Sequence, residues 1–230
     1  MIFNQLFDDK SSTYTYIIAS DKGREALIID PVIEKTEEYL KVLKELDLKL
    51  VKVIDTHIHA DHITGLNELS KRTKCTKIMG ELSKSEVVDL RVKEDDKIEI
   101  DKIQLKTIYT PGHTDCSYSF LMNDRVFTGD TLLINGTGRT DFQNGSAKTQ
   151  YNSLFNKLLK LPEKTIVFPA HDYNGKKFST IGDEKNKNPR LQVDSVDQYV
   201  EIMNNLKLAN PKMMDVAVPA NLKGVTLDQL

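Results

Sequence analysis

Thr56-His57-Ile58-His59-Ala60-Asp61-His62-Ile63-Thr64-Gly65 places three of the chain's five histidines and a carboxylate inside one short segment. Neutral imidazole and ionised carboxylate are what a divalent transition metal takes at neutral pH. Folding alone gives no reason to crowd them. The run follows Leu50-Val51-Lys52-Val53-Ile54-Asp55, whose β-branched and apolar residues read as a strand. The histidines therefore stand in a loop at a strand end, and what surrounds that strand decides the fold.

The same device recurs three times. Thr110-Pro111-Gly112-His113-Thr114-Asp115 closes the strand Leu105 to Tyr109 in a Pro-Gly turn that projects His113 from the sheet edge. Phe127-Thr128-Gly129-Asp130 delivers a carboxylate after another strand, and Ile166-Val167-Phe168-Pro169-Ala170-His171 a further histidine. Taken singly, each would be a turn or cap residue. Four such strand ends in one chain point to a shared site.

Working outward, Tyr14 to Ala19 and Ala26 to Asp30 read as a hairpin across Asp21-Lys22-Gly23. Tyr39, Leu43 and Leu46 predict a helix from about Lys35 to Asp47, and Ile63, Leu66 and Leu69 a short one after the histidines. The charged stretch from Lys84 to Lys102 reads as a solvated, loop-rich face. Ile98/Ile100, Ile103/Leu105 and Tyr118/Phe120/Met122 alternate as strands do. Tyr151, Leu154, Phe155, Leu158 and Leu159 form a helical stripe, and Thr165 to Phe168 a strand. The last helix runs from about Val196 to Lys207, with Ser195 and Gln198 as its capping box and Asn210-Pro211 as its stop. This order predicts an α/β or α+β chain of two sheets between helices, in one domain over residues 1–230 with a short C-terminal extension.

Composition narrows the function. At 230 residues, 39% hydrophobic and 29% charged, the chain is of globular type. Its 32 basic and 34 acidic residues leave a net charge of −2, which offers no field to a phosphate backbone or an anionic lipid surface. No nucleic-acid partner is expected. No apolar run reaches the ~18 residues of a membrane span, so no membrane association is expected either. Met1-Ile2-Phe3-Asn4-Gln5 has neither signal nor transit character, which predicts a cytoplasmic protein. Cys75 and Cys116 are too few for a disulfide framework and read as buried filler in a reducing compartment.

H-x-H-x-D-H, P-G-H-T, T-G-D and P-A-H-D, in that order, resemble the motif set of the metallo-β-lactamase superfamily. The resemblance implies an αββα sandwich with metal at one sheet edge. Thr56 to Gly65, Gly138-Arg139-Thr140-Asp141-Phe142, Pro169-Ala170-His171-Asp172-Tyr173, Asn188-Pro189-Arg190-Leu191 and Val218-Pro219-Ala220-Asn221 look like the persulfide dioxygenase family within it. That family implies one Fe(II) per chain, held by His57, His113 and Asp130, with His59, Asp61, His62 and His171 around it. In two-metal members of the superfamily the same residues bind metal directly. Spacing alone does not separate the two cases. The implied reaction is oxidation of glutathione persulfide by O2 and water to sulfite and glutathione, with Arg139, Tyr173 and Arg190 expected at the tripeptide and Lys176 as a surface lysine. The family's tendency to pair would make the chain a homodimer.

Near the motifs, Asp30 reads as a strand-end turn residue, and Asp115 and Asp172 as braces for their neighbouring histidines. Asp141 reads as the partner of an arginine, and Cys116 as buried filler. Two rival readings remain. One is a glyoxalase II-like dinuclear hydrolase of glutathione thioesters, which the single convincing helix after His171 disfavours. The other is a non-catalytic metal-binding or persulfide-sensing module.

Overall fold

Runs of isoleucine, valine and leucine, too apolar for a solvated face, build the sheets that carry the loops. The computed structural model describes residues 1–211 and 213–230, which fall into two compact units.

The first unit comprises residues Met1–Val92, Lys97–Leu105 and Asn210–Leu230. Its sheet runs in the order β1 (Ile2–Asp8), β2 (Thr13–Ala19), β3 (Glu25–Ile29), β4 (Lys49–Ile54), β5 (Thr76–Gly80), β6 (Leu90–Val92). The first three strands pair antiparallel and the rest parallel. Two helices make the crossovers, α1 (Thr36–Glu45) between β3 and β4 and α2 (Leu66–Thr73) between β4 and β5. Ile17, Ile28, Tyr39, Leu43, Val53 and Leu69 are buried together in one core. Each such side chain contributes about 1.5–3 kcal/mol through its removal from water.

The second unit comprises Lys93–Asp96 and Lys106–Ala209. The second sheet runs β12 (Ser179–Thr180), β11 (Ile166–Pro169), β10 (Arg125–Gly129), β9 (Tyr118–Leu121), β8 (Ile103–Tyr109), β7 (Lys97–Ile100). Strands β10 and β11 are parallel, and both end where a site motif begins. Helix α3 (Ala147–Asn156) packs Leu154 with Val126, Val167, Tyr199 and Met203.

The expected strands are found, with four additions, β1, β5, β6 and the two-residue β12. The short β6 lies in the stretch read as solvated loop and buries Val92. The stripe at 151–159 is also redrawn: Ser146 caps Thr149 N, the α-helix closes at Asn156, and Leu158 and Leu159 belong to a 3-10 turn. Three α-helices, not one, follow His171 among the described residues: α4 (Ile181–Lys187), α5 (Val196–Asn204) and α6 (Met214–Lys223). Helix count therefore does not argue against the hydrolase reading. Ser195 caps Gln198 N as the spacing predicts, but Gln198 Oε1 accepts from Asp194 N, so the box closes one residue early. Among the described residues no helix is long and apolar enough to cross a membrane.

Candidate metal centre

In the first unit the histidine loop leaves the carboxyl end of β4, between two parallel neighbours, where open α/β sheets place ligands. Asp30, at the end of β3, turns the chain with φ 50°. It does more than turn. One carboxylate oxygen accepts from Thr56 N (2.7 Å) and from His59 Nε2 (3.1 Å), and the other from Thr56 Oγ1 (2.9 Å). The Thr56 proton is thereby engaged, so its oxygen accepts from His57 Nδ1 at 2.9 Å. That fixes Nε2 as the acceptor nitrogen of His57, the form that ligates a metal.

The rings of His57 and His59 lie 4.3 Å apart, and those of His59 and His62 4.4 Å. Asp61 Oδ2 accepts from His62 Nδ1 at 2.9 Å and from Thr13 Oγ1 at 3.3 Å. Ligand atoms of His59, Asp61 and His62 fall within 4.8 Å of one another, and so do those of Asp30, Asp55 and His59. Burial pushes the Asp55 carboxyl up to about 7. Burial alone would pull the His59 imidazole down, but the charge and hydrogen bond of Asp30 reverse this and hold it up. The loop's backbone is tied by Asn221 of α6, whose amide meets the carbonyls of His59 and His62 and the N–H of Thr64.

In the second unit His113 and Asp130 come together, with His113 Nε2 3.5 Å from Asp130 Oδ2. That is long for a charge-assisted hydrogen bond and suits two donors aimed at one ion. His113 Nδ1 donates to Arg139 O at 2.7 Å, which again leaves Nε2 as the metal-facing nitrogen. The other oxygen of Asp130 lies 2.7 Å from His171 Nδ1. The segment that supplies Arg139 O is itself fixed: Gly138 N donates to Asp130 O, and Gln150 Nε2 donates to Gly138 O. Only glycine fits there, since a Cβ on Gly138 would stand 2.2 Å from Asp130 O and 2.8 Å from His113 Nδ1.

Each unit thus presents buried or half-buried imidazoles and carboxylates, several of them oriented by hydrogen bonds from their far side, the chemistry a divalent transition metal requires. The residues fit such an ion.

Several sequence expectations are corrected. Asp115 accepts from Asn144 Nδ2 rather than bracing His113. Asp172 accepts from Asn174 N and Lys176 N, closing its own turn instead of holding His171. Adjacency in sequence does not bring those carboxylates onto the neighbouring ring. Asp141 pairs with Arg139 through two 2.7 Å bonds, and Arg139 Nη1 also donates to Ala209 O while its guanidinium lies over Phe142. Arg190 is half-buried, with Nη1 on the Thr137 carbonyl. Tyr173 stands 71% exposed, its ring parallel to that of His171. Cys75 and Cys116 are buried, and neither is in a disulfide. Asp55, Gln150 and Tyr199 escaped the sequence reading because nothing in their local pattern marks them.

The sequence profile of the metallo-β-lactamase superfamily matches residues 8–171. The chain is 43% identical over 226 residues to "Persulfide dioxygenase ETHE1, mitochondrial" of Mus musculus, covering 97% of this chain and 88% of that one. The crystal structure of ETHE1 from Myxococcus xanthus superposes with a TM-score of 0.94 at 47% identity, over 96% of this chain and 98% of that one. A hydroxyacylglutathione hydrolase of Dictyostelium discoideum is more distant, 32% identical over 86% of this chain and 74% of its own length. On these grounds the chain belongs to the metallo-β-lactamase superfamily and, within it, to the persulfide dioxygenase family.

Proposed function

We propose that this chain is a persulfide dioxygenase that uses a single Fe(II) held by His57, His113 and Asp130, with His59, Asp61, His62 and His171 orienting what binds there. The reaction is oxidation of glutathione persulfide: one persulfide, one O2 and one water give glutathione, sulfite and two protons. The observation that carries this reading is the near full-length match to persulfide dioxygenases at more than 40% identity, against 32% for the hydrolase.

A ferrous ion with two imidazole ligands and one carboxylate supplies open positions at which a sulfur anion and O2 can meet. The protein's part is orientation. Thr56 and Arg139 O hold His57 and His113 with Nε2 outward, and His171 fixes one oxygen of Asp130. Of the three residues proposed to meet the tripeptide, Arg139 is paired with Asp141 and donates to Ala209 O, Arg190 donates to Thr137 O, and Tyr173 stands exposed with its ring parallel to that of His171. The reading includes a homodimer in the cytoplasm; two cysteines outside any disulfide suit a reducing compartment, and a net charge of −2 suits a protein without a nucleic-acid or anionic-membrane partner.

Anaerobic purification, metal quantification and an oxygen-electrode trace with and without glutathione persulfide test the reading. About one iron per chain with persulfide-dependent O2 uptake is the expected result. Two metals with thioester cleavage and no O2 uptake would establish the hydrolase, and persulfide binding without O2 uptake the sensing module.

A further inference from the structure

Asn221 lies on α6, and its buried side chain reaches the histidine loop across 157 to 162 residues of sequence. Nδ2 donates to His59 O at 2.9 Å and to His62 O at 3.0 Å, while Oδ1 accepts from Thr64 N at 2.9 Å. All the hydrogens of one carboxamide are in use, and only this orientation of the amide satisfies both carbonyls and the N–H. The loop between β4 and α2 has no ladder of its own to occupy those backbone groups, which must be paired when buried.

We propose that Asn221 is a positioning residue of the metal centre. Its planar amide fixes the separation of the His59 and His62 carbonyls, and so the attitude of the two rings that stand 4.4 Å apart. The helix that carries it is seated firmly. Ala217 and Ala220 are buried with Ile33 and Ile63. Gly224 ends the helix in the left-handed region, at φ 68°, where a Cβ would stand 2.4 Å from Val87. Ser85 Oγ donates to Asn221 O at 3.2 Å, and Glu86 N to Leu222 O at 2.8 Å. The amide is thus a rigid jig: one side of the helix turn is anchored to the 83–86 loop, the other templates the histidines.

The proposal rests on the reading that the histidine loop serves a metal, but not on which reaction that metal performs. Its test compares Asn221→Ala with Ser85→Ala, which loosens the same helix turn from the side away from the histidines. Two quantities are read: amide hydrogen exchange over residues 57–64 in the metal-free protein, and Co(II) affinity by chelator competition. The expected result for Asn221→Ala is faster exchange confined to that loop and a 10- to 100-fold loss of Co(II) affinity, the usual range for a group that orients ligands. Ser85→Ala should leave both near wild type. Asn221→Asp, which keeps the Thr64 acceptor and loses both donors, should lose affinity as Asn221→Ala does.

Unchanged exchange and affinity in Asn221→Ala would overturn the proposal, and so would equal effects from Ser85→Ala. If neither Asn221 variant folds while Ser85→Ala does, the residue is a structural keystone and the positioning role is also overturned. Loss of O2 uptake in the wild type would count against the dioxygenase reading alone, since neither readout uses the reaction.

Discussion

His171 Nδ1 lies 2.7 Å from one oxygen of Asp130 while the other oxygen faces His113 Nε2 at 3.5 Å, so a single carboxylate is steered by one histidine toward another. Replacing His171 with alanine removes the steering and leaves the carboxylate to rotate. Metal affinity, measured by chelator competition, should fall about 10- to 100-fold, with the fold intact by circular dichroism.

Gly138→Ala is expected to damage the site from beneath. The new methyl would have to occupy space held by the Asp130 carbonyl and the His113 ring, and neither can move without disturbing the donor pair. Overpacking of this kind costs about 1–3 kcal/mol. A lowered melting temperature together with substoichiometric metal after reconstitution is the expected outcome.

Tyr199 donates its one hydroxyl proton to Gln150 Oε1 at 2.8 Å, its oxygen lies 3.1 Å from Thr137 Oγ1, and Gln150 in turn donates to Gly138 O. All three residues are buried. Tyr199→Phe leaves Gln150 Oε1 without that donor, a loss of about 1–3 kcal/mol that urea denaturation would detect. Because the chain of bonds ends at the segment holding His113, the KM for persulfide should change less than kcat.

Glu184 gives a pH dependence. Burial pushes its carboxyl up, although Asn135 N and Asn188 Nδ2 donate to one of its oxygens. A carboxyl that holds its proton more tightly when folded than unfolded favours the fold below the ordinary glutamate range of about 4.3. That advantage is lost as pH rises through the raised value. Glu184→Gln keeps an acceptor for both donors and carries no charge. It should be as stable as the wild type near pH 4 and more stable at pH 8, by about 1 kcal/mol if one buried hydrogen bond is at stake. Urea midpoints at the two pH values check the sign.

Local pattern reveals the strand ends because β-branched runs and turn residues are themselves local. His57, His113, Asp130 and His171 were all legible in that way. What the pattern does not carry is which carboxylate meets which histidine. Asp30 reaches Thr56 and His59 only because β3 and β4 pair in parallel, while Asp115 and Asp172, though next in line to the motifs, turn to Asn144 and to backbone N–H groups. Helix α6 hid behind Pro219, which sits inside it against the usual preference. The helix at 147–156 was misplaced because its first turn, capped by Ser146, contributes few apolar residues to the stripe.

The tie from Asn221 to His59 and His62 also bears on how the chain is made. Ribosomes deliver residues in order, and a contact spanning some 160 positions closes only after everything between has emerged. Until then the imidazole cluster is tethered at its strand end but unsealed. The last hydrogen bonds of the histidine loop therefore wait until α6 has emerged, so the order of translation, and not only the folded geometry, sets when this cluster acquires its final shape.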